Sequence, residues 1–280
     1  MGYKKHLKSY LDIYNEIIEE NKNNTIMDLS KYNFLAPPTL LPLLQFMQQN
    51  RIYKYRPHEE TRLYLEKVLG REECTNTTIP LRKLKKFNYG DYFQAKNNIE
   101  IYLDELTNEI VDLLSMSGRY NTNCINTIFY EMLTNIYKHS LCEYAYILCQ
   151  EYPSIDKVDV CVIDNGITIP GSFENENIEF FNDSEAIFDA VNCKTTDKED
   201  EGLHGRGLNT IANLTSFGYG EELLISSRGG TCVIDRRGID VLPENKYYIN
   251  GTFLSLRLNT NEINIYDYLE KNKIKRCENE

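Results

Sequence analysis

With 280 residues, 41% of them hydrophobic, the chain can bury a sizeable core and has room for two domains. A formal net charge of −11 argues against nucleic acid or an anionic membrane as partner, and no apolar run approaches the ~18 residues of a membrane span. The start Met1-Gly-Tyr-Lys-Lys-His6 leads into no signal-peptide core and lacks a myristoylation pattern, and the eight cysteines form no C-x-x-C pair, so buried reduced thiols and a cytoplasmic setting are expected.

In chain order, an amphipathic helix is predicted from Tyr3 to Glu20, a short strand from Thr25 to Leu29, and a helix from Thr39 to Gln49 entered through Pro37-Pro38. A further strand is expected from Arg51 to Tyr55 and a helix from Glu59 to Leu69. The polar stretch from Gly70 to Asn88 carries Pro80 and the basic run Arg82 to Lys86, and reads as a domain boundary. Ile99, Leu103, Leu106, Ile110 and Leu113 keep helical spacing from Asn97 to Ser115. A second helix then spans the region around Glu131. Strands follow from Tyr144 to Gln150 and Val158 to Asp164. The acidic segment Glu174 to Glu201 holds one short helix, Ser184 to Val191. A helix from Gly207 to Phe217 and strands Leu223 to Ser227, Thr231 to Asp235 and Thr252 to Leu258 complete the pattern, the first two strands joined through Arg228-Gly229-Gly230.

Three segments carry chemistry. In Glu131-Met-Leu-Thr-Asn135-Ile-Tyr-Lys138-His139, residues four apart fall on one side of an α-helix, with Lys138 beside them. A carboxylate, an amide, an ammonium and an imidazole suit a metal-bound phosphate; a solvated amphipathic face is the plainer alternative. The strand from Val158 ends in Asp164-Asn165-Gly166-Ile167-Thr168-Ile169-Pro170. A carboxylate at a buried strand end can accept from an exocyclic amine such as that of adenine, although Asp-Asn-Gly is also a common turn. The run Gly202-Leu-His204-Gly205-Arg206-Gly207-Leu208 opens a helix whose N-terminal N–H groups suit an anion, with Arg206 as a further phosphate contact; otherwise it is a glycine-rich hinge. It is neither a Walker loop nor a dinucleotide fingerprint.

The order of these segments, from about Phe87 to Asn259, resembles the GHKL superfamily of Bergerat-fold ATPases: histidine-kinase ATPase domains, anti-sigma serine kinases, and the ATPase domains of type II topoisomerases and Hsp90. The resemblance implies an α+β fold, a two-layer α/β sandwich whose mixed, mostly antiparallel sheet carries helices on one face. Residues 87–280 would form this ATP-binding domain, and residues 1–86 a smaller N-terminal α/β domain. It implies Glu131 as general base, Asn135 as Mg²⁺ ligand, and Lys138 or His139 as a phosphate contact. Asp164 with Gly166 would read adenine, supported by Thr252, and Ile169, Gly205, Arg206, Gly207 and Leu208 would complete the nucleotide-binding set. Gly171 to His204 would be the ATP lid. Two positions depart from the pattern: Thr168 and Asn209 stand where glycines are usual.

The region Thr25 to Thr39 faintly resembles the strand–loop–helix of STAS domains, without a phosphorylatable serine in Leu35-Ala-Pro-Pro-Thr39; an ordinary α/β crossover reads equally well. His58-Glu-Glu-Thr-Arg62 has the start of a phosphoacceptor box, but its usual proline is missing and Pro80 interrupts the hairpin that should follow. The expected function is Mg²⁺-ATP binding in signalling, with hydrolysis or γ-phosphate transfer to a protein partner, and room for a homodimer. The alternative is a non-catalytic, nucleotide-gated interaction module.

Overall fold

The computed structural model describes residues 6–69, 78–86, 92–115, 122–192, 207–218 and 220–259. Its elements are α1 (Lys8–Asn21), β1 (Met27–Leu29), α2 (Pro37–Gln49), β2 (Tyr55–Pro57), α3 (Glu59–Val68), β3 (Thr78–Lys83), α4 (Tyr92–Ser115) and α5 (Thr122–Asn135). A π-helical turn, Ile136–Ser140, extends α5. There follow β4 (Ala145–Tyr152), β5 (Lys157–Asp164), α6 (Ile169–Asn175), α7 (Asp183–Val191), α8 (Gly207–Phe217), β6 (Gly220–Arg228), β7 (Gly230–Asp235), β8 (Gly238–Val241) and β9 (Ile249–Asn259).

The fold is α+β. A seven-stranded sheet runs in the order β3-β4-β5-β9-β6-β7-β8, and each of its pairings is antiparallel. Among the described residues, parallel pairing is confined to the small β1–β2 ribbon. Strand β5 shows why its sequence is almost continuously apolar: both faces of the sheet are covered. Val158, Val160 and Val162 point into a core built with α4, α5 and α8, whereas Cys161 and Ile163 join a second core with α1 and α2. The two-layer arrangement therefore describes the sheet with α4, α5 and α8, and the N-terminal segment adds a third layer over the opposite face.

That third layer is fastened by more than apolar contact. Asp159 and Arg257, facing each other across β5 and β9, are both fully buried and joined at 2.7 and 2.9 Å. The guanidinium lies 5.5 Å from the centre of the Tyr10 ring of α1, a cation–π contact across the interface. Thr39 of α2 donates to the Tyr10 carbonyl at 2.8 Å, and Glu222 of β6 accepts from the Leu7 backbone N–H.

Several sequence expectations are adjusted. The stretch read as a polar boundary contains β3, an edge strand paired with β4 and bulged between Ile79 and Arg82. An edge tolerates Pro80 because its missing N–H removes no ladder bond there. The strand expected from Arg51 to Tyr55 begins only at Tyr55. His58 is the N-cap of α3, its Nδ1 accepting from the Glu60 N–H at 3.2 Å. Cys149, Cys161 and Cys232 are buried free thiols and Cys142 is half-buried; the Cys124 side chain lies outside the described residues. None of the described helices is long and apolar enough to cross a membrane.

Candidate functional site

Helix α5 presents Glu131 and Asn135 one turn apart. Its buried stripe of Ile125, Phe129, Met132 and Leu133 packs on the sheet side, which turns both polar residues toward the rim. After Asn135 the winding changes, and Ile136–Ser140 form a π turn that ends at Leu141 in the left-handed region (φ 50°, ψ 29°). The wider i→i+5 turn breaks the four-residue stripe expected of a continuous α-helix, so Lys138 and His139 do not simply extend the Glu131–Asn135 line. Lys138 is exposed and His139 half-buried.

The start of α8 closes on this pair. A Cβ placed on Gly207 would lie 2.8 Å from Asn135 Oδ1 and 2.9 Å from Glu131 Oε2. Only a glycine lets this helix N-terminus, with its first-turn N–H groups and positive dipole end, sit directly on the carboxylate and amide. Leu208 follows, half-buried against the core of α4, α5 and α8. Gly205, Arg206 and the rest of Gly202 to Arg206 lie outside the described residues.

The end of β5 makes the opposite side. Asp164 is 3% exposed, and burial pushes its carboxyl up to about 7, against the hydrogen bonds from the Gly166 and Thr252 backbone N–H groups. The Gly166 N–H reaches Oδ1 at 2.7 Å. Gly166 in turn presses on the π turn: a Cβ there would meet the Ser140 carbonyl oxygen at 2.0 Å, and the Ile167 N–H donates to the same oxygen at 2.8 Å. Thr252 is the register partner of Asp164. Ser227 of β6 links the set. Its hydroxyl accepts from the Ile169 N–H, donates to the Gly251 carbonyl and shares a hydrogen bond with the Thr252 hydroxyl, each at 3.0 Å.

The three sequence-distant clusters are thus contiguous: Gly207 on Glu131 and Asn135, the π turn on Gly166, and Asp164 on Thr252. Sequence reasoning missed Ser227, whose only signal was its position at the end of a strand in register with Thr252. It also missed α6. Thr168, in place of the usual glycine, adopts φ 66° and ψ 160° and caps this helix, accepting from the Gly171 N–H at 3.0 Å. A β-branched residue in that glycine-favoured region stores about 1–3 kcal/mol of strain.

The described first part of the expected lid, 171–192, is anchored. Arg228 donates to both Asp183 oxygens and to Glu174 Oε1 at 2.8 Å. Burial opposes ionisation of Asp183, but the Arg228 bonds and the Gly229 N–H hold its carboxyl below the usual aspartate range. The rest of that expectation, 193–204, lies outside the described residues.

Among the described residues no group of three or more His, Cys, Asp or Glu could hold a metal ion. Mg²⁺ bound to phosphates needs only one or two protein oxygens, however, and Asn135 and Glu131 carry oxygens of that kind side by side. The buried Asn135 Nδ2 has no hydrogen-bond partner among the described residues, which is unusual for a side chain with only a packing role.

No family model matches the chain, and no curated protein matches it. Among solved structures it is similar to the histidine kinase domain from the Erythrobacter litoralis EL346 blue-light activated histidine kinase. That likeness has 13% sequence identity, a TM-score of 0.28, and covers 91% of this chain and 94% of that one. A likeness of that size carries no argument about the site or its chemistry.

Proposed function

We propose that this chain binds Mg²⁺-ATP in the manner of the GHKL superfamily and acts in signalling, hydrolysing ATP or passing its γ-phosphate to a protein partner. The observation that carries the reading is the seating of Gly207 on Glu131 and Asn135, which brings a phosphate-type helix start onto a carboxylate–amide pair. Asn135, with Glu131 beside it, would hold Mg²⁺ through its amide oxygen, where the ion would neutralise charge on the phosphate oxygens. Glu131 would polarise a water or an acceptor hydroxyl. Asp164, buried and met among the described residues by backbone N–H groups, would accept from the adenine amine; such a charge-assisted bond is worth roughly 1.5–3 kcal/mol.

Thermal unfolding with and without Mg²⁺-ATP is the test. Saturation at ~100 times Kd should add about 2.7 kcal/mol of stability, and Asp164→Ala should remove that gain. No shift in the parent protein would refute nucleotide binding. A phosphate-release assay with Glu131→Ala as control separates turnover from binding.

One observation favours the non-catalytic alternative. Phe181, between α6 and α7, is 89% exposed beside anchored elements of the expected lid, where an apolar ring suits a partner protein.

A further inference from the structure

Helix α2 reaches the candidate site from the far face of the sheet through one side chain. Gln45 is 3% exposed, and its Nε2 donates to the Asp164 carbonyl at 2.8 Å and the Asn250 carbonyl at 3.2 Å. These two oxygens belong to adjacent strands at the point where β5 ends and β9 passes it. The approach there is unusually close. Gly251 has φ 126°, and a Cβ on it would lie 1.8 Å from the Asp164 carbonyl oxygen. An amide with two hydrogens is the simplest group that can bridge both carbonyls from one side. Gln49, one turn on, donates to the Asn250 carbonyl at 3.3 Å in an exposed contact and also hydrogen-bonds Tyr144.

We infer that Gln45 is a positioning residue for purine recognition: by tying the Asp164 and Asn250 carbonyls together, it fixes the direction in which Asp164 and Thr252 face a bound base. The inference rests on the reading of Asp164 as the adenine contact, and gives the N-terminal layer a direct part in nucleotide selectivity. The bridge acts on the base end alone. Glu131, Asn135 and Gly207 are held by α5 and α8 on the other face.

The experiment measures binding of Mg²⁺-ATP and of Mg²⁺-tripolyphosphate, which has no base, to the full chain. Gln45→Met removes both donors at similar volume. Losing two hydrogen bonds behind the contact should weaken ATP about fivefold to tenfold, with tripolyphosphate and the Gln49→Leu control within about twofold of the parent. ATP affinity unchanged in Gln45→Met, or ATP and tripolyphosphate falling together, overturns the inference alone. A parent that binds no adenine nucleotide overturns it along with the reading of the site. Should Gln45→Met not fold, NMR of the parent decides: a Gln45 side-chain amide resonance that moves with ATP but not with tripolyphosphate supports the bridge, and one that ignores ATP refutes it.

Discussion

Strand β5 carries two buried aspartates, five residues apart, with opposite surroundings. Asp159 faces the N-terminal layer and is matched on both oxygens by Arg257. Asp164, at the strand's end, accepts the Gly166 and Thr252 backbone N–H groups among the described residues, and burial pushes its carboxyl up to about 7. The same residue type in the same strand is structural where a countercharge was folded in beside it. Where the described donors are backbone dipoles, burial prevails and the carboxyl is pushed up, the setting in which the proposed adenine contact would add the missing donor.

The largest effect should come from breaking the matched pair. Asp159→Ala removes the carboxylate that meets the buried Arg257 guanidinium and should lower unfolding free energy by about 3–5 kcal/mol, as read by urea denaturation. A loss under about 1 kcal/mol would mean the two aspartates do not differ as described. The Asp164 prediction concerns pH. Its folded value lies above the ordinary aspartate value of 3.8, so the folded protein holds a proton that the unfolded chain releases. Stability contributed by this group is therefore lost as pH rises from about 4 to about 7. A ligand that needs the carboxylate binds more tightly over the upper part of that window, by at most about tenfold per pH unit, and levels off above it. Asp164→Asn should flatten both profiles; a parent with no pH dependence of ATP affinity between pH 5 and 8 would contradict the poised carboxylate.

Gly207→Ala sharpens the comparison at the other end of the site. Its methyl would crowd Asn135 and Glu131, costing about 1–3 kcal/mol of stability by overpacking and weakening Mg²⁺-tripolyphosphate along with Mg²⁺-ATP in calorimetric titrations. Loss of ATP alone would place Gly207 near the base instead. The smallest effect is at Thr168. Thr168→Gly should stabilise by about 1 kcal/mol, since strain relief outweighs the few tenths that glycine costs as a cap. Thr168→Ala keeps the strain, loses the cap and should destabilise. Equal signs in thermal melts would refute the strain assignment.

Much of the architecture was legible because its signals are local. The Val158 strand, the Gly207 helix and the Arg228–Gly230 hairpin have the composition of what they form. What stayed hidden depends on tertiary context. β3 reads as a domain boundary because an edge strand can carry proline and charge. The π turn at Ile136–Ser140 is invisible to a periodicity of 3.6, which is why Lys138 and His139 were placed on one stripe with Asn135. α6 did announce itself, through Thr168 as cap and Pro170 in the first turn, a signal masked by treating everything after Gly171 as lid. Gln45 and Ser227 offered no motif, because their roles arise from carbonyls and hydroxyls on strands distant in sequence.

Strand β9 lies between β5 and β6 but follows both along the chain. During synthesis, the hairpins on either side must wait with open edges until residues 249–259 leave the ribosome. Such edges invite mispairing with neighbouring nascent chains. Chaperone demand should therefore persist until β9 has emerged, and fragments stopped before Ile249 should aggregate, with Asp164 still lacking the strand that faces it.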